Sequence, residues 1–301
     1  MSPAAIFGYD YLMLRALLKT MRPRQWTKNG FIFAALVFDK QLFIANSLLR
    51  NVAGFVLFCF ISSAVYIFND LSDIEADREH PEKRNRPIPS GKLPVGVAWA
   101  AGILLVVLSV GLGYLLSPAF AAVVLGYFLL NIAYSRWLKH ILILDVLIIA
   151  AGFVLRVVAG VALIHVERFS PWLYVVMTLL SLYLGFGKRR AELALLTDEA
   201  GTHRKVLHGY TIPLLDQYII IVSATTIVAY SFYTFSAPNV PANHSMMLTI
   251  PFVVYAIFRY LWLIQVQKAG GEPEEILLTD RPFQIGMFLW AAVVILVFYF
   301  S

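Results

Sequence analysis

The densest concentration of chemically useful side chains is the run Asn69-Asp70-Leu71-Ser72-Asp73-Ile74-Glu75-Ala76-Asp77. Asp70, Asp73 and Asp77 follow an i, i+3, i+7 spacing, which predicts three carboxylates on one helical face. At 1.5 Å per residue, Asp70 and Asp77 stand about 10 Å apart along the axis. Carboxylates held that way repel one another unless a cation neutralises them. Hard oxygen ligands favour Mg2+ or Mn2+, and Mg2+ completes its shell with water and substrate phosphates. A solvated acidic helix end is the plainer alternative, but this stripe abuts a hydrophobic run, where stray charge is expensive. Just beyond it come Arg78, His80, Lys83, Arg84 and Arg86, in a segment stiffened by Pro81, Pro87 and Pro89 and closed by Ser90-Gly91. Carboxylates for a metal followed by cations for phosphate suit a Mg2+–diphosphate. A topology anchor would account for the cations alone and leaves the interleaved acids unexplained. His80 by itself adds little.

Further along, Gly187-Lys188-Arg189-Arg190-Ala191-Glu192 sets three consecutive cations beside one acid, a composition that suits a further phosphate. Tyr134-Ser135-Arg136-Trp137-Leu138-Lys139 joins the fourth and fifth apolar runs, and its residue types alone read as an interfacial aromatic-plus-cation anchor. Asp145 and Arg156 fall on a similar helical face within one apolar run; an ionisable residue there is a functional candidate by default. Arg156 could equally snorkel or cap carbonyls. Glu272, Asp280 and Arg281 either close the site or are solvated, with solvation favoured.

The elements that must position these groups are membrane spans. Of the 301 residues 60% are hydrophobic and 14% charged, and the mean hydropathy is +0.75. A soluble domain carries about 25% charged residues, so the apolar excess faces lipid. Nine apolar runs are predicted as spans: 26–38, 51–68, 95–116, 119–134, 141–163, 172–186, 218–235, 246–264 and 283–300. Their continuity excludes the alternating strands of a β-barrel. A single cysteine excludes an internal disulfide framework or a Cys-based metal site. Of the 24 Lys and Arg, only Lys40, Arg50 and Arg168 fall in loops opposite the acidic motif, and Arg156 and Arg259 lie inside spans. By the positive-inside rule the N-terminus and the charged loops are expected in the cytoplasm. The net charge of +6 is therefore a topology signal and not a nucleic-acid footprint. Residues 1–25 are expected to form an N-terminal amphipathic segment, helical over 10–22 and broken by Pro23, and not a signal peptide. The whole of 1–301 reads as one integral membrane domain, with no soluble domain at either end. A homo-oligomer is left open.

The string Asn-Asp-x-x-Asp-x-x-x-Asp after the second of nine spans resembles the UbiA superfamily of intramembrane prenyltransferases. The resemblance implies an all-α, nine-helix bundle with cytoplasmic active-site loops. It also implies a Mg2+–diphosphate held by this motif and by a second acidic motif, usually Asp-x-x-x-Asp, after the sixth span. The chain departs from that second motif, where Glu192 is the only acid. Four strings are similar to the decaprenyl-phosphate phosphoribosyltransferase branch of the superfamily: 22–29, 76–81, 187–193 and 271–275. That branch moves phosphoribose from phosphoribosyl diphosphate (PRPP) to a polyprenyl phosphate, releases diphosphate and feeds cell-envelope glycan precursor synthesis. Carried onto this chain, Asp70, Asp73 and Asp77 are the metal ligands and catalytic centre. Lys28, Asn69, Lys83, Arg84, Arg86, Tyr134, Lys139, Lys188, Arg189, Arg190 and Glu192 are the substrate-binding set. The rival readings are prenyl transfer from a prenyl diphosphate to an aromatic or other acceptor and, further off, a transporter. Against the transporter, the polar residues cluster at one face and no pair of broken midplane spans is evident.

Overall fold

The structure is a computed structural model, and it describes residues 3–166, 170–196, 205–267, 276 and 278–300. Among these residues every regular element is helical. In chain order they are α1 (Pro3–Met21), a 3₁₀ helix (Pro23–Ile32), α2 (Phe33–Phe38), α3 (Ala45–Ser72), α4 (Ile74–Glu79), α5 (Val95–Leu116), α6 (Pro118–Arg136), α7 (Leu144–Val161), α8 (Pro171–Leu196), α9 (Ile212–Ser236), α10 (Ile250–Gln265) and α11 (Arg281–Phe300), with four shorter 3₁₀ turns between them. Successive long helices pack side by side, α3 on α5, α5 on α6, α6 on α7, α7 on α8 and α8 on α9, while α10 pairs with α11.

Among the described residues, seven helical segments are long and apolar enough to cross a bilayer: Ala45–Ser72, Val95–Leu116, Pro118–Arg136, Leu144–Val161, Ile212–Ser236, Ser245–Gln265 and Arg281–Phe300. They coincide with seven of the nine expected runs, and the chain is an integral membrane protein. Their ends carry the expected punctuation. Ser117 accepts the Phe120 N–H at 3.4 Å and Pro118 opens α6, so that 117–118 forms the tight turn expected between two spans. Thr211 caps α9 through the Leu214 N–H at 3.3 Å, and Asp280 caps α11 through the Phe283 N–H at 2.8 Å.

The other two expected spans differ from the sequence reading. The sixth is present as α8, whose 26 residues reach well past the apolar run and carry Lys188, Arg189, Arg190 and Glu192 on their last turns. The first is not a uniform α-helix. It is a ten-residue 3₁₀ helix followed by six residues of α-helix. A 3₁₀ helix rises about 2.0 Å per residue against 1.5 Å for an α-helix. The stretched winding therefore lets this short segment reach about 29 Å, close to the thickness of a hydrocarbon core. Runs of 3₁₀ beyond three or four residues are uncommon, so neighbours must hold this one. Trp26 donates from Nε1 to Ser63 Oγ at 3.0 Å. Asn29 donates to Ser62 Oγ at 3.1 Å and to Cys59 Sγ at 3.3 Å. On the other side the segment lies against Gly160 of α7, where a Cβ would stand 2.0 Å from the Ile32 carbonyl oxygen. Only glycine permits that approach.

The N-terminal helix runs longer than expected. Ala16, Thr20 and Met21 are buried toward α3, while Tyr11, Leu12, Leu14 and Leu18 stay exposed beside Arg15 and Lys19. That pattern suits a helix lying at the membrane–water interface.

Candidate active site

α3 places Asn69 and Asp70 on its last turn and stops at Ser72; Asp73 (φ −103°, ψ 12°) marks the break before α4. The break changes the expected stripe. Asp70 and Asp77 are buried, at 2% and 3% exposure, whereas Asp73 is exposed. Arg86 joins the two buried acids through a single nitrogen. Its Nη1 donates to Asp77 Oδ2 at 2.7 Å and to Asp70 Oδ1 at 3.2 Å. Arg22 donates from Nη2 to the same Asp70 oxygen at 2.7 Å, with its guanidinium 4.8 Å from the centre of the Tyr66 ring. Arg22 reaches there from the end of α1 in a left-handed conformation, φ 53° and ψ 63°, directly before Pro23. Such a conformation costs about 1–3 kcal/mol at a non-glycine residue and persists where the surroundings over-determine it. The prolines fix the loop that brings Arg86 back, with Ile88 and Leu93 fully buried as its anchors. Lys83 and Arg84 project from a 3₁₀ turn and are exposed. His80 braces that turn, its Nδ1 accepting the Glu82 and Lys83 N–H groups at 3.2 and 3.4 Å.

A second cluster forms where α6, α7 and α8 meet. Arg189 is fully buried. Its Nε donates to Asp145 Oδ2 at 2.6 Å, its Nη1 to Glu192 Oε2 at 2.6 Å and its Nη2 to the Tyr134 hydroxyl at 3.3 Å. Tyr210 donates to Asp145 Oδ1 at 2.8 Å and accepts the Ile143 N–H at 2.9 Å. Burial, reinforced by the Asp145 carboxylate, pushes the Tyr210 phenol above its ordinary range and keeps it a donor. Ile143, at φ 68°, adopts a conformation that β-branched residues rarely take. The two clusters share α6. Ser135 donates to Asn69 Oδ1 at 2.6 Å, while its neighbour Tyr134 meets Arg189.

The expected roles therefore divide. Asn69, Asp70, Asp77 and Arg86 come together, and Lys83 and Arg84 sit on the loop leading to them. Tyr134 and Glu192 come together around Arg189. Arg189 and Arg190, expected to present cations to a phosphate, are both turned to carboxylates; Arg190 Nε donates to Asp216 Oδ1 at 2.5 Å. Lys28, Lys139 and Lys188 are half-buried. Arg156 does not reach either cluster. It is buried in α7, donating to Asn29 Oδ1 at 2.8 Å, the Gly152 carbonyl at 2.8 Å and the Tyr127 hydroxyl at 2.9 Å, among the rings of Phe58, Tyr127 and Phe153. Asp280 pairs with Arg259 at 2.8 Å, which holds its carboxyl below the usual carboxylate range. Arg281 opens α11. Glu272 lies outside the described residues, as do Gly271 and 273–275. Arg22 and Tyr210 were not in the expected set. Arg22 carried a signal in its Arg-Pro string, whereas Tyr210 carried none.

Chemically, the first cluster offers two hard carboxylates whose neutralising cations are partly solvated and able to turn outward. Among the described residues no three acidic, histidine or cysteine side chains gather as a ready-made metal cage. Two carboxylates are enough where a substrate's phosphates complete the shell.

A sequence profile of the UbiA prenyltransferase family matches residues 31–290. Two curated relatives carry the name decaprenyl-phosphate phosphoribosyltransferase. The one from Corynebacterium glutamicum is 34% identical over 94% of this chain and 86% of its own length. The one from Mycolicibacterium smegmatis is 36% identical over 96% and 94%. Among solved structures, a UbiA homolog from Archaeoglobus fulgidus bound to GPP and Mg2+ superposes with a TM-score of 0.71 at 21% identity, over 94% of this chain and 99% of that one. This last likeness is one of fold.

Proposed function

The chain belongs to the UbiA prenyltransferase family, and from that premise we propose that it transfers 5-phosphoribose from PRPP to a polyprenyl phosphate, decaprenyl phosphate in the relatives' names, and releases diphosphate. The observation that carries the reading is the pairing of Asp70 and Asp77 through Arg86, with Arg22 on the same oxygen, in a chain so like the two named relatives over nearly its whole length.

Asp70 and Asp77 would hold a divalent cation, Mg2+ by preference and Mn2+ as a substitute, with Asp73 at the break between α3 and α4 as a third ligand. Bound there, the metal supplies charge neutralisation for the departing diphosphate. Arg22 and Arg86 are within reach of the same oxygens and would turn from the carboxylates to the diphosphate, assisted by Lys83 and Arg84. The acceptor needs no strong base, because a phosphate monoester has its second pKa near 6 and is already anionic at neutral pH. Its oxygen forms the bond to the anomeric carbon as the bond from that carbon to diphosphate breaks. What the chain must supply is orientation of two anions and relief of their repulsion. Lys188 and Lys139, on α8 and beside α6, are assigned to the second phosphate. Asn69, tied to Ser135, keeps the end of α3 in register with α6. The charged end of the bundle faces the cytoplasm on this reading, and the lipid tail lies between helices that face the bilayer.

The test is direct. Purified protein with radiolabelled PRPP, Mg2+ and a panel of polyprenyl phosphates should yield a lipid-extractable phosphoribosyl product. Prenyl transfer to an aromatic acceptor without any phosphoribose transfer would decide for the rival reading.

A further inference from the structure

The two clusters of the site neutralise their carboxylates in different ways, and the difference lies in solvent access. On the α3 side the cations are Arg22 and Arg86, with side chains 33% and 31% exposed. Each guanidinium can turn to water or to a substrate oxygen, and the carboxylates it leaves, Asp70 and Asp77 at 3% and 4% side-chain exposure, then call for another cation in its place, which a metal ion supplies. On the α8 side the cation is Arg189, 1% exposed, against an Asp145 that is 0% exposed. Its three nitrogens meet oxygens from three helices: Asp145 Oδ2 on α7, Glu192 Oε2 on α8 and the Tyr134 hydroxyl on α6. Asp145 has its other oxygen taken by Tyr210. A convergent set of hard oxygens around one buried positive centre is what a bound cation requires, and here the chain fills that centre with its own guanidinium. Withdrawing it would leave a buried carboxylate without its counter-charge, which is strongly unfavourable.

We infer that Arg189 is a resident cation that stands in place of a metal ion on the α8 side, so that divalent cations bind only through the Asp70 and Asp77 cluster and the phosphate on the α8 side is taken without a metal. Arg189 is thus a positioning residue. It fixes Tyr134 and Glu192 and sets the class of ligand accepted at that half of the site, a phosphate monoester met by side-chain cations and not a metal-bridged diphosphate. The inference goes beyond the proposed reaction and rests on it only for the identity of the two phosphates. The count of metal ions on each side is independent of what reaction follows.

The experiment uses the purified full-length chain and Mn2+ alone, with bound ions counted by electron paramagnetic resonance of the unbound metal. Arg189→Gln should bind one more Mn2+ per chain than the wild type, and adding Asp145→Asn to Arg189→Gln should remove the extra ion. Arg189→Lys, which restores a cation, should return the wild-type count. Protection of the buried Cys59 thiol reports whether each variant is folded. Glu192→Gln alters a partly exposed group and keeps the test alive if Arg189→Gln does not fold; in an otherwise wild-type chain it should leave the Mn2+ count unchanged. In a second arm, wild-type affinity for a polyprenyl phosphate should be the same in EDTA as in Mn2+. The inference is overturned if Glu192→Gln lowers the wild-type count, if folded Arg189→Gln gains no ion, or if EDTA weakens lipid-phosphate binding tenfold or more. A wild type that binds no Mn2+ while Arg189→Gln binds one leaves the role of Arg189 standing and means that the Asp70 and Asp77 cluster takes its ion only together with a substrate's phosphates.

Discussion

Replacing Arg156 by Met separates what a buried charge costs from what it holds. The guanidinium bonds Asn29 Oδ1 on the 3₁₀ helix and the Tyr127 hydroxyl on α6, besides a carbonyl of its own helix. With Met in its place, the Asn29 and Tyr127 oxygens lose their buried partner. A buried polar group left unsatisfied costs about 1–3 kcal/mol, so the two together cost about 2–6 kcal/mol. Against that, removing an arginine from a membrane-embedded helix recovers about 2.5–3.5 kcal/mol on the insertion scale. The net expectation runs from a gain of about 1.5 kcal/mol to a loss of about 3.5 kcal/mol, well below the sum of the broken contacts. Asn29→Leu combined with Arg156→Met removes the orphaned acceptor, and the Ser62 hydroxyl released by that change already donates to the Cys59 carbonyl at 3.0 Å. The double variant should therefore be no less stable than Arg156→Met alone, with a coupling energy of about 1–3 kcal/mol, as for residues in direct contact. The chain supplies its own probe, because its one cysteine, Cys59, is buried at 2% exposure in the same neighbourhood. Thermal unmasking of that thiol to a fluorogenic maleimide, in detergent and in nanodiscs, reads unfolding directly. Two single losses that simply add in the double variant would refute the reasoning. So would an Arg156→Met protein more stable than the wild type by clearly more than about 1.5 kcal/mol, since the network would then hold nothing.

Asp70→Asn and Asp77→Asn should each lower kcat/KM by about 10²- to 10³-fold, the usual effect of losing one preorganised charge-stabilising group, and EDTA should abolish turnover; full activity in EDTA would remove the metal role. For orientation, a cysteine at Ser90 should be labelled only from the cytoplasm and one at Asn243 only from outside, and labelling of both from one side would overturn the topology. Gly160→Ala sets a methyl group against the Ile32 carbonyl and should destabilise by about 1–3 kcal/mol or more, as overpacking does; an unchanged melting temperature would show that the 3₁₀ helix can shift aside. Asp280 has its folded pKa lowered by Arg259, so its contribution to stability is complete above the unfolded value of about 3.9 and is lost as pH falls through the folded one. Asp280→Asn keeps a capping oxygen and should flatten the acid limb of Cys59 unmasking below about pH 4, whereas an identical limb would sink the linkage.

The parts of the fold that could be read from sequence are those in which each residue speaks for itself. α5 matches the apolar run 95–116 end to end because a span buries its backbone within itself, and Pro94 and Ser117-Pro118 punctuate it locally. The first span could not be read that way. Its apolar stretch is too short for an α-helix to cross, and nothing local announces a 3₁₀ winding. That winding is imposed by Asn29 meeting Arg156, 127 positions further along the chain, and by the bare Cα of Gly160. Asp73 shows the same limit on a smaller scale. The i, i+3, i+7 pattern assumes a continuous helix, and the break after Ser72 turns the middle carboxylate outward while its neighbours stay buried.

For the site, residue types were legible and pairings were not. A run of Lys188, Arg189 and Arg190 shows where positive charge lies along α8, yet an arginine's role depends on the oxygen it meets. Arg189 meets Asp145, 44 positions away, and Arg190 meets Asp216, 26 away. Asp145 stands out in the sequence only as an ionisable residue inside an apolar run, with no sign of its partner, Asp216 looks like an unremarkable acid before one, and Tyr210 looks like any loop tyrosine. Adjacent cations such as Arg189 and Arg190 can thus serve unrelated ends, because successive residues on a helix point about 100° apart and reach different neighbours. The Asp70 cluster escaped this ambiguity because its acids and the returning Arg86 lie within one short stretch, where spacing alone constrains geometry. The second cluster is assembled from α6, α7, α8 and the segment before α9, and its chemistry is visible only where oxygens of the three helices meet at the Arg189 guanidinium and Tyr210 joins them through Asp145.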